Sequence, residues 1–388
     1  MESLLTEQQK LVRDTARGFA QKRLAGLAQE IEDTHRFPKG LFKEMGELGL
    51  FGLAIPEKYG GSDAGFLACT LAMEEVARAS GAVVLSYGAH AFLCARNLYQ
   101  HANEDQRMKY LPKLVSGEWV GAFCLTEPEA GSDASGLQTK AVRKGDRYIL
   151  NGSKIFITNG SIADVFIVVA RTERKKGTGH LSTFIVEKGF KGFSSGRDIQ
   201  KMGTHGSPFS ELIFKDCEVP VENRIGEEGK GLNYMLQGLD MERIVFAGMP
   251  VGIAQAALDY ALAYSLKRRQ FKQPIASFQL VQELLAQMAT EIEAARLLSY
   301  QAGSMLDAGV PVSKQASFAK LFGAQTVLRA TQSAIQILGG YGYTKEFPVE
   351  RYYRDAKITE IYEGTSEIQR LVIARSILGQ TQRTLAQG

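Results

Sequence analysis

The sequence predicts an α+β fold in which a helical domain and a helical bundle flank a small antiparallel sheet. Apolar residues recur with helical spacing from Leu4 to about Gly117, and again in longer stretches from about Gly229. After Trp119 they alternate in short runs separated by Gly, Asp and Asn, which is typical of strands joined by turns. We therefore expect an N-terminal helical domain at residues 1–118, a central antiparallel β domain at 119–228 and a C-terminal four-helix bundle at 229–388.

The individual elements follow from the same patterns. Helices of the first domain are indicated by apolar faces that include Leu11 and Phe19, Leu41 and Met45, and Leu67 and Leu71. Strands are expected at 120–125, 139–142, 148–150, 155–158, 165–169, 182–186 and 212–214. The bundle should contain one helix at 234–266, one with its apolar face at 281–298, one at 313–338 and one that opens after residue 364.

Composition is that of an ordinary soluble protein. The 388 residues are 45% hydrophobic and 23% charged, and the net charge of +4 is too small to indicate a nucleic-acid partner. The longest uncharged run, 79–95, contains Ser, Gly and His, so we interpret it as a buried helix rather than a membrane span.

Cysteine and histidine spacing argues against a metal centre. The four cysteines form no CxxC pair and the five histidines form no HExxH pattern, so we expect neither a metal nor a disulfide framework. The N-terminus begins an amphipathic helix and lacks the pattern of a signal peptide, which favours a cytoplasmic protein.

Two common nucleotide-binding motifs are missing. The sequence has no GxGxxG after a strand and no GxxxxGK[ST] loop. A Rossmann domain and a P-loop are therefore disfavoured, and any nucleotide cofactor must bind in another way.

A candidate acid or base lies in the stretch Asp355–Arg375. Glu363 precedes Gly364, which permits backbone angles closed to other residues, and a helix then begins at Thr365 or Ser366. Ser366 and Gln369 have the spacing of a capping box. The carboxylate would thus lie at a fixed loop tip beside unpaired amides, although a solvated acidic loop before a surface helix fits this segment equally well.

Two stretches of the β domain suit the binding of a flat cofactor. The turn Ala130-Gly131-Ser132 offers free amides and a hydroxyl. On the strand that contains Phe156 and Thr158, an aromatic side chain and a hydroxyl alternate, which suits a heterocycle and its polar edge. Either stretch alone is more often only a strand and a turn.

Together these segments resemble the acyl-CoA dehydrogenase family over nearly the whole chain. The matching blocks, in the family's order, are Leu125-Thr-Glu-Pro with Ala130-Gly-Ser-Asp, Phe156-Ile-Thr-Asn, Gln336-Ile-Leu-Gly-Gly340, Arg354-Asp-Ala-Lys and Ile361-Tyr-Glu-Gly-Thr-Ser-Glu367. The resemblance implies the same helix, sheet and bundle order that periodicity predicts.

The resemblance also implies FAD as the cofactor, with its ring between the sheet and the bundle. The near-side positions that match the family's cofactor site are Leu125, Thr126, Gly131, Ser132, Phe156, Thr158, Thr365 and Glu367. The family is usually a homotetramer in which a neighbouring subunit completes the site, and the corresponding positions are Arg268, Phe271, Gln279, Gln336 and Gly340. The family commonly has Gly after this phenylalanine, where the chain has Lys272, so the local turn is left open.

By the same resemblance the reaction is α,β-dehydrogenation of an acyl-CoA thioester, with electrons passed to an electron-transfer flavoprotein. Glu363 would remove the α-proton, and its backbone amide would bind the thioester carbonyl as enolate charge develops. The positions expected to contact the substrate are Ser132, Asp240, Arg243, Glu363 and Gly364, with Arg243 toward the CoA moiety; an ion pair on the helix surface is the alternative for that arginine.

Several alternatives stay open within this interpretation. In the isovaleryl-CoA and long-chain branches the catalytic glutamate occupies the position of Glu242, and this chain has both glutamates. The segment Leu85–His90 resembles the isovaleryl branch and favours a short branched substrate, whereas Val84 stands where glutaryl-CoA dehydrogenases have an arginine. An acyl-CoA oxidase would usually have a longer C-terminal extension, and a non-catalytic flavin-binding scaffold would not require Glu363.

Overall fold

A computed structural model describes residues 5–38, 40–172 and 180–387. The N-terminal part is helical, as predicted, with α1 Glu7–Phe19, α2 Ala25–Thr34, α3 Leu41–Glu47, α4 Phe66–Ala79, α5 Gly81–Gly88, α6 Asn97–His101 and α7 Glu104–Val115. Two π-helical segments, Ala20–Leu24 and Ala89–Arg96, join α1 to α2 and α5 to α6. The uncharged run 79–95 is almost entirely buried, as predicted.

The central part is an eight-stranded sheet with the order β6-β7-β3-β2-β4-β5-β8, and β1 pairs with β4. Its strands are β1 Gly121–Cys124, β2 Lys140–Lys144, β3 Arg147–Thr158, β4 Val165–Arg171, β5 Leu181–Glu187, β6 Phe193–Asp198, β7 Phe209–Pro220 and β8 Arg224–Ile225. Most neighbours are antiparallel, but β1 and β2 each run parallel to β4. The sheet contacts the N-terminal helices at Gly121 of β1, whose amide donates to His90, and at Asn159 after β3, whose side-chain amide donates to the carbonyl of Ser86.

The predicted strands differ from the structure in two places. The runs 148–150 and 155–158 form one strand, because the ladder to β7 continues across a bulge at Gly152, which lies directly against Thr139. The strand β6 was missed because the sequence of Phe193–Asp198 is mostly polar and its side chains are largely outside the core.

The C-terminal part contains the long bundle helices α8 Gly231–Phe246, α9 Gly248–Lys267, α10 Gln279–Asp307 and α11 Ser313–Leu338, followed by α12 Val349–Ala356 and α13 Ser366–Gln387. The strands β9 Arg269–Gln270 and β10 Gln273–Pro274 form a hairpin between α9 and α10. The single helix expected at 234–266 is wrong, since α8 and α9 are separated at Ala247. Pro250 explains the break, because it has no N–H for the carbonyl of Phe246.

One hydrophobic core joins the N-terminal helices to the bundle. Met73 and Val76 of α4 belong to the same buried cluster as Val245 and Ile253. The contact is close because a Cβ on Gly252 would lie 2.2 Å from the carbonyl oxygen of Glu74. The segment Gly231–Lys267 has the length and composition of a membrane span, but 72% of its most apolar window is buried inside this fold.

Candidate functional site

The loop before α13 has an unusual backbone. Glu363 has φ +54° and Gly364 has φ +88°, so two consecutive residues occupy the left-handed region. A Cβ on Gly364 would lie 2.9 Å from the side-chain nitrogen of Gln369, which adds a steric reason for glycine. The predicted backbone freedom of Gly364 is confirmed, and Glu363 itself takes a strained conformation of the kind that concentrates at functional sites.

The start of α13 differs from the expected capping box. Thr365 is the residue whose hydroxyl accepts from the amide of Ile368, at 3.4 Å, whereas the hydroxyl of Ser366 has no partner among the described residues. Gln369 donates its side-chain amide to the carbonyl oxygen of Glu363 at 3.2 Å. The capping-box prediction is wrong because Gln369 stabilises the preceding loop instead of returning to the helix end.

Arg243 ties this loop to α8. Its side chain is buried, and its Nε donates to the carbonyl oxygen of Glu363 at 3.1 Å. Its Nη1 donates to Asp240 at 3.0 Å. The helix ion pair that the sequence left as an alternative is therefore present, and the same guanidinium fixes the backbone of the candidate base.

The two candidate glutamates lie side by side. Glu242 on α8 is only 2% exposed, accepts a hydrogen bond from the side-chain amide of Asn97, and hydrogen-bonds to Glu363. Gly238 makes room for this contact, because a Cβ there would lie 2.5 Å from Oδ1 of Asn97 and 3.1 Å from Oε1 of Glu242. The fold thus brings together two carboxyls that are far apart in sequence.

Burial dominates the electrostatics of this pair. It raises the pKa of Glu242 well above its usual range, and the charge of Glu363 raises it further. Burial also raises the pKa of Glu363, but a hydrogen bond from Glu242 and the positive charges of Arg243 and Lys320 oppose that rise. The two carboxyls therefore titrate as a pair, in which burial favours the protonated form of each and the charges of Arg243 and Lys320 favour an ionised Glu363.

Tyr362 connects the loop to the break between α8 and α9. Its hydroxyl lies 3.5 Å from the carbonyl oxygen of Phe246 and 3.7 Å from the sulfur of Met249. The carbonyl is available because Pro250 cannot donate to it. The helix break thus supplies an anchor for the residue next to Glu363.

The sheet presents an open wall of aromatic and hydroxyl groups. Phe156 lies at the end of β3 with φ +62°, is 50% exposed and stacks on Phe209 with ring centroids 5.4 Å apart. The amide of Ile155 donates to the carbonyl of Thr126 at 2.9 Å, which places Thr126 beside this strand end. Among the described residues the hydroxyls of Thr126 and Thr158 have no partner, so this wall suits a flat ring with a polar edge.

A buried ion pair supports that wall. Lys154 on β3 donates to the carbonyl of Leu125 at 2.9 Å and to Glu127 at 2.8 Å, and both charged side chains are almost completely enclosed. The other lone pairs of Glu127 accept from the amides of Gln138 and Thr139 at 2.6 and 3.0 Å. The sequence analysis missed this pair, because nothing in the spacing of Glu127 and Lys154 indicates that they meet.

The turn that was expected to contact a phosphate or carbonyl is open. Backbone hydrogen bonds between Glu127 and Ala130, at 3.0 and 3.1 Å, close the turn. Gly131 and Ser132 are exposed at its surface, and a Cβ on Gly131 would meet no atom within 4 Å. The predicted residues are therefore accessible, but space alone does not require glycine here.

The positions expected to serve a neighbouring subunit gather at another surface. Arg268 and Gly340 line a groove of about 460 Å³, and the guanidinium of Arg268 lies 5.4 Å from the ring of Tyr341. Phe271 in the β9–β10 hairpin and Gln336 in the last turn of α11 lie on elements that line this groove, and Gln279 lies at the start of α10. Thr365 and Glu367 lie instead at the start of α13, next to Glu363.

Lys272 takes the backbone conformation that its neighbours require. Phe271 and Lys272 have φ +47° and +67°, as the two central residues of a two-residue hairpin loop. Such a loop favours glycine at the second position. The turn therefore forms with lysine there, but the left-handed backbone of Lys272 is strained.

Models of the N-terminal, middle and C-terminal domains of acyl-CoA dehydrogenases match residues 6–118, 122–217 and 229–378. The chain is 47% identical to the short-chain-specific acyl-CoA dehydrogenase of Clostridium acetobutylicum, over 97% of this chain and 100% of that protein. It is 45% identical to the mitochondrial isovaleryl-CoA dehydrogenase of Pongo abelii, over 96% of this chain and 89% of that protein.

Solved structures give the same result. Butyryl-CoA dehydrogenase from Megasphaera elsdenii has a TM-score of 0.94 at 44% identity, over 96% of this chain and 99% of that one. A chain in a structure of the electron transferring flavoprotein of Acidaminococcus fermentans has a TM-score of 0.95 at 46% identity, over 97% and 100%. The FAD complex of PigA has a TM-score of 0.92 at 32% identity, over 96% and 98%. The predicted fold class is thereby confirmed, and the chain belongs to the acyl-CoA dehydrogenase family of oxidoreductases.

Proposed function

We propose that this chain catalyses the FAD-dependent α,β-dehydrogenation of a short-chain or short branched-chain acyl-CoA to the 2-enoyl-CoA. The observation that carries the proposal is the adjacent pair of Glu242 and Glu363, held by Arg243 and Asn97 in a buried setting that raises both pKa values. The relatives named for short-chain, butyryl-CoA and isovaleryl-CoA activity support the substrate class.

Glu363 is the proposed base. Its strained backbone and the bonds from Arg243 and Gln369 to its carbonyl fix the direction of its side chain, and it is the more accessible glutamate. A carboxylate with a raised pKa is a stronger base toward the weakly acidic α-proton of a thioester. The backbone amide of Glu363 would donate to the thioester oxygen. Glu242, which is the more deeply buried of the two carboxyls, would hold the proton of the pair.

FAD is the proposed cofactor, and its residues are those the sequence predicts. Phe156 would pack against the ring, while Thr126 and Thr158 would bond to its polar edge, which fits their exposure and free hydroxyls. Leu125, Gly131 and Ser132 would complete the near wall. When bound, FAD supplies the acceptor for the hydride that leaves the β-carbon.

Assembly and partners extend this proposal. In a homotetramer, the groove at Arg268 and Gly340 would complete a neighbouring subunit's cofactor site, together with Phe271, Gln279 and Gln336. Electrons would pass to an electron-transfer flavoprotein, a partner supported by the match to the Acidaminococcus structure.

We also propose a cytoplasmic protein with domains at residues 1–118, 119–228 and 229–388. Ser132, Asp240, Arg243, Glu363 and Gly364 are the proposed substrate contacts.

The second candidate is an isovaleryl-CoA dehydrogenase that uses Glu242 as its base. The observation in its favour is that Glu242 lies close enough to Glu363 for the two carboxyls to affect each other's pKa. Against it stand the near-complete burial of Glu242 and its hydrogen bond from Asn97.

Separate replacement of the two glutamates tests the proposal. We expect Glu363→Gln to slow anaerobic bleaching of the bound flavin by butyryl-CoA or isovaleryl-CoA about 10²- to 10⁴-fold, because it removes the base. Glu242→Gln should have a much smaller effect, since an amide can still donate to Glu363. Glu7→Gln is the matched control, because Glu7 is an exposed glutamate of α1 that pairs with Lys10 at 2.8 Å.

The reverse ranking of the two variants would assign the reaction to Glu242. If both variants keep most of the bleaching rate, neither carboxyl is the base. A parent protein that binds FAD but is not bleached by butyryl-, isobutyryl- or isovaleryl-CoA would contradict the proposed substrate class.

A further inference from the structure

A buried cation on α11 lies near the candidate base. Lys320 is only 3% exposed, and its Nζ has no hydrogen-bond partner among the described residues. The nitrogen lies 5.7 Å from the centroid of the Tyr362 ring. Because an enclosed ammonium without a partner is costly, its retention here requires a compensating charge nearby.

The charges around Lys320 come from two directions. The loop and the start of α13 contribute Glu360, Glu363 and Glu367, which attract the ammonium, and Arg243 on α8 repels it. The remaining titratable groups that face Glu363 are Glu242 on α8 and Tyr362 beside it. Within the described part of the chain no carboxylate bonds directly to Lys320, so its charge acts on Glu363 through space.

We propose that Lys320 is a positioning residue for the dehydrogenation, whose buried positive charge keeps the Glu363 carboxylate ionised beside Glu242. This inference rests on the proposed function and adds the residue that sets the working pH of the base. Two adjacent carboxyls in an enclosed site would otherwise both hold protons near neutral pH, because burial and mutual repulsion favour the neutral forms. The positive charges of Lys320 and Arg243 together offset that tendency.

The state of Lys320 is compatible with this role. Burial lowers its pKa to about 8, and the charge of Glu363 opposes that effect. The ammonium is therefore mostly protonated at neutral pH, when the base must be ionised. Since Lys320 reaches the loop from a separate helix, its charge can be removed without changing the loop sequence.

The test is the pH dependence of flavin bleaching by butyryl-CoA in the FAD-loaded enzyme, compared between the parent and Lys320→Met. Methionine has a similar length and no charge, so the acid limb of the profile should move to higher pH by about one to two units. The rate should fall about 10- to 100-fold on the acid side and approach the parent rate at high pH. Lys320→Arg should restore the parent profile, and Lys22→Met, which alters an exposed lysine of the Ala20–Leu24 segment, should leave it unchanged.

An unchanged acid limb in Lys320→Met would overturn the proposal, even if the rate falls uniformly, because a structural role lowers the rate without moving the limb. If the methionine variant does not fold, Lys320→Gln provides the same comparison. An infrared titration of the buried carboxylic acid band gives a second readout without turnover, and the band should persist to higher pH in the variant. A parent that is never bleached would contradict the proposed function, whereas the infrared shift would still decide the role of Lys320.

Discussion

Replacement of Lys154 by methionine should destabilise the sheet wall more than its position on one strand suggests. The substitution leaves the carboxylate of Glu127, which is 4% exposed, without its cation in an enclosed site. Removal of one partner from a buried pair costs about 3–5 kcal/mol. The carbonyl of Leu125 also loses its hydrogen bond, so the segment that contains Thr126 should loosen from β3.

A double-mutant cycle separates the pair from its neighbours. Glu127→Gln should cost about 1–3 kcal/mol, because the amide oxygen can still accept from Thr139 while Lys154 loses its counter-charge. The double variant Lys154→Met with Glu127→Gln should be more stable than the sum of the singles predicts, by about 2 kcal/mol or more. The midpoint of urea unfolding and the fraction of flavin retained after gel filtration should change together.

The pH dependence adds an independent check. Burial raises the pKa of Glu127, but Lys154 and the backbone amides outweigh this effect and lower it overall. The stabilisation is therefore present above the unfolded pKa of about 4.3 and is lost as the pH falls through the lower folded value. Additive single variants, or a Lys154→Met variant with parental stability and flavin retention, would refute the reasoning.

Two further predictions concern conformation and protonation away from the pair. Lys272→Gly should raise the free energy of unfolding by about 0.5–1 kcal/mol, because glycine relieves the strain of the left-handed backbone. As a control, Gln332→Gly on the exposed face of α11 should lower the free energy of unfolding by about 1 kcal/mol. Equal effects of the two changes in thermal unfolding would contradict this prediction. Burial lowers the pKa of His90 to about 4, and its Nδ1 accepts from the amide of Gly121 at 2.9 Å. Between about pH 7 and about pH 5 the parent should therefore lose about 2 kcal/mol more stability than the His90→Gln variant. If the stability of the two proteins changes in parallel with pH, protonation of His90 does not destabilise the fold.

Local chemistry was the part of the site that the sequence could predict. Gly364 after Glu363 indicated a special backbone, and the structure has φ +88° there. The change from helical to strand periodicity after Trp119 correctly indicated the order of helices, sheet and bundle. These signals are readable because they depend on a residue and its near neighbours.

The missed features depend on packing between distant segments. Asn97 and Lys320 lie on two helices other than that of Glu242, and no spacing rule tells which faces of those helices turn toward the two glutamates. The same reason explains the missed contact of Gln369 with the loop, because its sequence position also satisfies a capping box.

The interruption between α8 and α9 has a consequence for engineering. Pro250→Ala would return an amide to the helix and let it compete with Tyr362 for the oxygen of Phe246. A substitution made to straighten this helix and raise thermal stability would thereby weaken the contact that holds Tyr362, the residue next to Glu363. A stiffer bundle would therefore be gained at the expense of a less firmly held catalytic loop.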